Sequence, residues 1–282
     1  MEKIIFTKMH GAGTDFIIID NRSSALALSR LPALARQLCN RRLSIGADGM
    51  MVVIPPAKGG DYGMLFYNSD GSLGEMCGNG ARCIARYGYE NGLAGNTQRI
   101  ETTAGLVVGQ RIDERQYRVR LNDPGCMELN RLCPTELGDY VCSYVELGCP
   151  GIPHAVHIMD NWDEIPREEL FNLGKALRHS SAFPKGANVS FVKLCARDEI
   201  KAITFERGVE DFTLACGTGS GATVSALSLM GLVSGKDVKV HMPGGTLSIS
   251  LSITAGSVND ILLTGPTCIV CRGKVLDEDL IM

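Results

Sequence analysis

The feature that most constrains the fold is a short motif that occurs twice, half a chain apart. Residues 77–85 (CGNGARCIA) and 216–224 (CGTGSGATV) both open with Cys-Gly-x-Gly and continue into small and apolar residues. The two cysteines are 139 positions apart in a chain of 282 residues. Each motif predicts a helix that starts at its cysteine, running to about Glu90 and Met230. The repeat therefore predicts two related halves, each with one helix led by a cysteine.

Short apolar or alternating runs, bounded by Gly, Pro, Asn and Asp, predict strands along most of the chain. The predicted strands are 4–8, 16–20, 50–54, 64–68, 99–110, 116–121, 139–147, 154–159, 187–194, 199–206, 238–242, 245–252 and 261–271. Apolar residues at helical spacing predict helices at 31–42, with Ser29 as a candidate N-cap, and at 166–178. Because strands come in runs and helices are few, we expect an α+β fold with antiparallel sheets.

The charge balance argues against a nucleic-acid-binding protein. The chain has 28 Lys and Arg against 31 Asp and Glu, a net charge of −3, and no long basic run. Binders of the phosphate backbone concentrate positive charge instead. Apolar runs are too short for a membrane span, and the first ten residues lack the apolar core of a signal peptide. We therefore expect a cytoplasmic protein, and with 11 cysteines, an odd number, one in which most cysteines are buried thiols.

The two cysteines of the repeat predict a specific chemistry. A cysteine at a helix start faces the positive end of the helix dipole and backbone N–H groups that have no helical partner. Both favour the thiolate, so we predict a lowered pKa for Cys77 and Cys216. The glycines that follow let N–H groups approach a carboxylate. One ionised and one protonated cysteine, on opposite faces of a carbon beside a carboxylate, would invert that centre without a cofactor or a metal.

Parts of the sequence are compatible with other functions. The glycines after Gly217 resemble a dinucleotide-binding loop but follow no long apolar strand. Cys268 and Cys271 form a lone CxxC, which suits a zinc or redox site, although the core of a strand fits the apolar run better. His154 and His157 lie close together without a carboxylate cluster. A non-catalytic binding, metal or redox protein is therefore an alternative to the enzyme.

The chain resembles the diaminopimelate epimerase family over nearly its whole length. The segments that carry the resemblance are 8–16 (KMHGAGTDF), 46–49 (GADG), 67–71 (YNSDG), 77–83 (CGNGARC), 153–154 (PH), 186–191 (GANVSF), 206–209 (ERGV), 214–219 (LACGTG) and 243–246 (PGGT). The resemblance implies two similar domains, 1–122 with 266–282 and 123–265, each made of mostly antiparallel strands around a central helix, with the active site in the cleft between them. It implies cofactor-independent epimerisation of LL- to meso-diaminopimelate, on the route to lysine and peptidoglycan.

The resemblance also implies roles for individual residues. Cys77 would be the base for the LL substrate and Cys216 the base for the reverse direction. The substrate-binding residues that it implies are Thr14, Asn68, Gly78, Asn79, Asn188, Glu206, Arg207, Gly217 and Thr218, the backbone of residues 78, 79, 217 and 218 holding the reacting carboxylate. The second amino-acid head of the substrate needs a cation for its carboxylate and an anion for its ammonium, which Arg207 and Glu206 supply. The asparagine amides supply further hydrogen bonds. The expected partner is a small-molecule amino-acid substrate, with a homodimer as the candidate assembly and neither nucleic acid nor membrane.

Three positions depart from the family pattern. Thr14 replaces an asparagine, Ile152 stands where an asparagine often precedes Pro153, and Phe212 stands where an acid is usual. The departures leave the two cysteines intact and concern the ends of the substrate. A racemase of another amino acid, such as histidine, is therefore the alternative substrate hypothesis.

Overall fold

The computed structural model of the protein describes residues 4–23, 26–74, 77–276 and 278. Residues 1–3, which belong to the ten N-terminal residues compared with a signal peptide, lie outside the described residues. The chain forms two compact units, residues 1–119 with 265–282 and residues 120–264. The domain limits expected from the sequence, after residues 122 and 265, stay a prediction.

Eighteen strands and four α-helices are assigned within the described residues. The strands of the first part of the chain are β1 (Ile5–Gly11), β2 (Thr14–Asp20), β3 (Gly49–Ile54), β4 (Tyr62–Asn68), β5 (Leu73–Gly74), β6 (Thr97–Thr102), β7 (Gly105–Arg111) and β8 (Gln116–Arg120). Those of the second part are β9 (Pro124–Thr135), β10 (Gly138–Gly148), β11 (Gly151–Ile158), β12 (Asn188–Ala196), β13 (Glu199–Glu206), β14 (Asp211–Thr213), β15 (Val238–Met242), β16 (Gly245–Thr254) and β17 (Ser257–Pro266), followed by β18 (Cys268–Lys274). The helices are α1 (Leu31–Leu38), α2 (Gly78–Glu90), α3 (Arg167–Arg178) and α4 (Gly217–Leu229).

The first unit is one curved sheet around α2. Its strands pair in the order β18-β1-β2-β3-β4-β6-β7-β8, parallel at β2–β3 and β4–β6 and antiparallel elsewhere. Helix α2 packs on β1 and β2 on one side and on β6 and β7 on the other. Ten of its thirteen residues are buried, which makes it the centre of the unit. Helix α1 covers the other face of β3 and β4 through Leu31, Leu34 and Leu38.

The second unit repeats this arrangement element for element. Its strands pair as β9-β10-β11-β12-β13-β15-β16-β17, parallel at β11–β12 and β13–β15 and antiparallel elsewhere. Helix α4 packs on β9, β10, β11, β12 and β16, and eleven of its thirteen residues are buried. Helix α3 packs on the opposite face over Phe191 and Phe205. The α+β fold and the two related halves are confirmed, each with a buried helix led by a cysteine.

Several predicted elements differ from the structure for local reasons. The single strand expected at 99–110 is the hairpin β6–β7, which turns at Thr103 and Ala104 and admits Gly105 with φ +107°. The predicted strand 261–271 is divided between β17 and β18 at Thr267, whose N–H and hydroxyl both donate to the carbonyl of Arg115. Strand β9 was not predicted, because its exposed and half-exposed residues are mostly polar or small and give a weak apolar pattern.

The predicted helix 31–42 is also shorter than expected. It ends at Leu38, and Arg30, not Ser29, occupies the N-cap without a capping side chain. The expectation that most cysteines are buried is wrong, because five of the eleven are buried and the others are half-buried or exposed. Within the described residues, none of the helices combines the length and apolar character that crossing a membrane requires.

Candidate active site

Cys77 stands at the start of the central helix of the first unit. It is the N-cap of α2, in extended conformation with φ −122° and ψ 120°, and its carbonyl accepts the N–H of Ala81 at 2.7 Å. The side chain is half-buried. Gly78 is the first helical residue, so the helix presents its first-turn N–H groups beside this thiol, as the sequence predicts.

A chain of side-chain hydrogen bonds crosses the first turn of α2. The guanidinium of Arg82 donates to the side-chain carbonyl of Asn79 at 2.9 Å and to the backbone carbonyl of Gly78 at 3.3 Å. The amide nitrogen of Asn79 then donates to the hydroxyl of Thr14 at 2.9 Å. Arg82 is fully buried, and burial lowers its pKa to about 10. The structure thus joins two of the predicted binding residues, Thr14 and Asn79.

Asn68 lies at the same end of the sheet as Thr14. Gly49 of β3 pairs with Phe16 of β2 on one side and with Asn68 of β4 on the other. The Asn68 side chain is exposed and donates to the hydroxyl of Ser72 at 2.9 Å. The binding role of Asn68 stays a prediction.

Cys216 occupies the matching position in the second unit. It is the N-cap of α4, with φ −115° and ψ 107°, and its sulfur accepts the N–H of Gly219 at 3.3 Å. The hydroxyl of Thr218 lies 3.6 Å from the same sulfur. A Cβ at Gly219 would lie 3.1 Å from Sγ of Cys216, a tight contact that would require the sulfur to shift by a few tenths of an ångström. Gly217 and Thr218 form the start of the helix, as predicted.

The predicted lowered pKa of Cys216 is wrong for this structure. Burial raises the pKa of this thiol well above its usual range, and the negative charge of Glu206 raises it further. Hydrogen bonds from Thr218 and the Gly219 N–H act in the opposite direction but are weaker. Desolvation of the thiolate therefore outweighs the helix start, and Cys216 holds its proton.

The negative charge of Glu206 acts on the Cys216 thiol. The carboxylate of Glu206 accepts a hydrogen bond from the hydroxyl of Thr213 at 2.6 Å. Sequence patterns gave no signal for Thr213, because its contact depends on how β14 pairs with β13. The expected role of Glu206 as partner of a distal ammonium stays a prediction.

Three predicted or newly found polar residues lie on or next to neighbouring strands. They are His154 on β11, Asn188 on β12 and Arg207, which directly follows β13. The side-chain carbonyl of Asn188 accepts the backbone N–H of Arg207 at 2.8 Å, and Arg207 donates to the carbonyl of Lys185 at 3.1 Å. His154 pairs in register with Asn188. It is fully buried, and neither ring nitrogen has a hydrogen-bond partner among the residues that the structure describes; burial, with the nearby charge of Arg207, lowers its pKa to about 3.

The structure shows the surroundings of Phe212 and Ile152, two of the three positions that depart from the family pattern. Phe212 packs edge-on against Phe205 at 5.6 Å and Phe191 at 6.2 Å, and the guanidinium of Arg167 lies 5.5 Å from its ring centroid. It belongs to the core under α3. Ile152 is half-buried opposite Leu147 in the β10–β11 hairpin.

The CxxC pair does not lie in a core. Cys268 is half-buried and Cys271 is exposed, both on β18, so the expected strand is confirmed but its core position is wrong. Among the described residues, no three His, Cys, Asp or Glu side chains are grouped so that they could hold a metal ion.

Comparisons with known proteins assign the chain to a family. The family model described as "Diaminopimelate epimerase" matches residues 6–124 and 149–269. A protein named diaminopimelate epimerase from Methanothrix thermoacetophila is 39% identical over 99% of both chains. Another of that name from Aquifex aeolicus is 36% identical over 98% of this chain and 99% of its own. The chain belongs to the diaminopimelate epimerase family.

Members of the diaminopimelate epimerase family are isomerases, and this chain is an enzyme of that class. Solved structures extend the fold beyond the family. A phenazine biosynthesis protein of the PhzF family from Bacillus anthracis superposes with a TM-score of 0.73 at 16% identity, over 98% of this chain and 100% of its own. A probable proline racemase from Agrobacterium radiobacter superposes with a TM-score of 0.71 at 18% identity, over 96% and 92%. These two likenesses show the shared fold.

Proposed function

We propose that this enzyme epimerises LL-diaminopimelate to meso-diaminopimelate, in lysine and peptidoglycan synthesis, with two cysteines as acid and base and no cofactor. The observation that carries the proposal is that the buried helix of each unit begins at a cysteine N-cap. The family membership and the names of the relatives support the substrate.

The proposed reaction moves one proton off the α-carbon and another onto it. The thiolate of Cys77 takes the α-proton of the LL substrate, and the thiol of Cys216 gives its proton to the opposite face. The products are meso-diaminopimelate, a Cys77 thiol and a Cys216 thiolate, and exchange with water restores the first state. The raised pKa of Cys216 supports its role as the acid in this direction.

Backbone N–H groups at the two helix starts would stabilise the charge that develops on the reacting carboxylate. Gly78, Asn79, Gly217 and Thr218 lie in these first turns, where N–H groups point out of the helix. Thr14, Asn68, Asn188 and Arg207 would hold the distal amino-acid head. The proposal requires both sulfurs to reach one α-carbon from opposite faces.

A panel of single enantiomers tests the proposed function. LL-diaminopimelate, L-histidine and L-lysine are each incubated with enzyme, and optical purity is followed by chiral chromatography. We expect loss of optical purity with diaminopimelate alone. Cys77→Ser and Cys216→Ser should each reduce the rate at least about 100-fold, because each removes an acid–base group. Cys195→Ser, which changes an exposed cysteine, is the matched control. Racemisation of histidine without that of diaminopimelate would contradict the proposed substrate.

A further inference from the structure

The chain of three side chains at the start of α2 has a fixed direction of donation. Arg82 carries only donors, so the atom of the Asn79 side chain that it contacts at 2.9 Å must be the carbonyl oxygen. The other end of that amide is then its NH₂ group, which donates to the hydroxyl oxygen of Thr14 at 2.9 Å. The guanidinium therefore determines the orientation of the amide, and the Thr14 oxygen serves as an acceptor.

Arg82 occupies an unfavourable place for a charged side chain. It is fully buried, and in the part of the chain that the structure describes its Nε has no hydrogen-bond partner and its guanidinium forms no ion pair. It also lies near the start of a helix, where the helix dipole disfavours positive charge. Its hydrogen bonds to Asn79 and to the carbonyl of Gly78 are what this position provides. A buried cation with so little compensation is typical of a functional residue.

The backbone of Thr14 is held by its neighbour, so only its side chain is left to be oriented. The N–H of Asp15 donates to the carboxylate of Asp48 at 3.0 Å, and the Asp15 carboxylate accepts the guanidinium of Arg41 at 2.7 Å. Among the described residues, the structure shows no acceptor for the hydroxyl hydrogen of Thr14. Because the oxygen already accepts from Asn79, the half-buried hydroxyl has its hydrogen to donate to a ligand.

The second unit does not repeat this chain of hydrogen bonds. In its motif, Thr218 stands at the position of Asn79 and Gly221 at the position of Arg82. The Thr218 hydroxyl lies 3.6 Å from the sulfur of the cysteine, and a Cβ at Gly221 would lie 2.8 Å from Cδ1 of Leu121. The chain of three side chains is therefore a feature of the first unit and not a requirement of the repeated fold.

We propose that Arg82 is a positioning residue for the epimerisation, which fixes the Asn79 amide so that the Thr14 hydroxyl donates to the distal carboxylate of the substrate. The inference rests on the proposed function, in which Thr14 contacts the distal amino-acid head. A carboxylate accepts such a hydrogen bond, whereas an ammonium group has no acceptor. Without Arg82, the amide is free to turn, and its carbonyl oxygen can take the hydroxyl hydrogen from the substrate. A fully buried side chain thus selects for the carboxylate through two intermediaries.

Two compounds that each keep one half of the distal head test the inference by calorimetric titration. L-2-aminopimelate has the distal carboxylate without the ammonium, and L-lysine has the ammonium without the carboxylate. Thr14→Val and Arg82→Met should each weaken binding of 2-aminopimelate about tenfold, the usual effect of a lost hydrogen bond to a charged group, and leave that of L-lysine unchanged. Thr14→Ser keeps the hydroxyl and should match the wild type. No binding of 2-aminopimelate to the wild type, unchanged binding in Arg82→Met, or equal losses for both compounds would overturn the proposal.

A double-mutant cycle separates positioning from loosened packing. Arg82→Met and Thr14→Val together should weaken 2-aminopimelate no more than either alone, because both remove the same hydrogen bond. Additive losses would show that Arg82 acts otherwise and would overturn the inference. Asn79→Asp provides a second cycle if circular dichroism shows that Arg82→Met does not fold. Its carboxylate accepts from both Arg82 and Thr14, so Thr14→Val should again add nothing.

The outcomes distinguish this inference from the proposed function on which it rests. If the wild type fails to epimerise LL-diaminopimelate while the cycle remains non-additive, the proposed substrate fails and the positioning role of Arg82 stands. If the wild type epimerises LL-diaminopimelate while the losses are additive, the proposed function stands and the positioning role fails.

Discussion

At the scale of single residues, the pKa of the Cys216 thiol results from contributions of opposite sign. Burial and the charge of Glu206 favour the thiol, while Thr218 and the Gly219 N–H favour the thiolate. The sequence shows the helix start but not the burial, so it predicted the wrong direction for this pKa. A buried thiol keeps its proton until a substrate carbanion needs one, which suits the acid of a two-base reaction.

The recognition of the distal head depends on Arg207 in this account. We expect Arg207→Ala to raise KM for LL-diaminopimelate about tenfold, equivalent to roughly 1.4 kcal/mol, with a smaller change in kcat. The guanidinium is exposed and held by one backbone carbonyl, so its loss should leave the fold in place. Steady-state kinetics measure the change, with Lys193→Ala, which removes the half-buried ion pair with Asp163, as the control. Unchanged KM and kcat would show that Arg207 has no part in binding.

His154 makes stability depend on pH. Its folded pKa is about 3 against an ordinary 6.5, so the unfolded chain binds a proton between these values that the folded chain does not. Stability is therefore lost as pH falls below about 6.5, by about 2 kcal/mol between pH 7.5 and 5. Urea unfolding at the two pH values measures this loss. His154→Leu should lose less stability by about that amount, and an equal pH dependence in both proteins would contradict the assignment.

At the scale of elements, the start of α4 leaves little space for a side chain at Gly219. A methyl group there would lie 3.1 Å from Sγ of Cys216 and 3.3 Å from the hydroxyl of Ser190. We expect Gly219→Ala to displace the sulfur and to lower kcat/KM roughly tenfold to a hundredfold, because small misplacements of reacting groups are costly. Gly95→Ala is the control, since its Cβ would meet nothing within 4 Å. Wild-type kcat/KM in folded Gly219→Ala would refute this reasoning.

The sequence predicts elements well where apolar periodicity is clear. Strands β13 and β15 have the predicted bounds, 199–206 and 238–242, because both carry buried residues in a strong pattern. It fails where a turn interrupts an apolar run, as between β6 and β7, and where a strand has an exposed face, as in β9. The cysteines at the helix starts were predictable from the repeat. The contacts of Thr213, Arg82 and His154 were not, because they join residues that only tertiary pairing brings together.

At the scale of the whole molecule, one topology occurs twice. Each unit wraps a sheet with two parallel pairs around one buried helix, and each of these helices begins at a cysteine. The repetition gives two similar helix starts with different surroundings. A buried Arg82 follows Cys77 by five residues, and Gly221 occupies the equivalent position after Cys216. One fold repeated with such differences can supply a base from one half and an acid from the other.

The measurement that tests the central claim most directly is epimerisation of LL-diaminopimelate in deuterium oxide by protein that has received no cofactor. Proton NMR follows the α-hydrogens while chiral chromatography follows the meso product. Because the acid cysteine exchanges its proton with solvent, the account predicts that meso-diaminopimelate forms with solvent deuterium at the inverted α-carbon. No product until pyridoxal phosphate or a metal is added, or product that retains its α-proton, would contradict a two-cysteine epimerase.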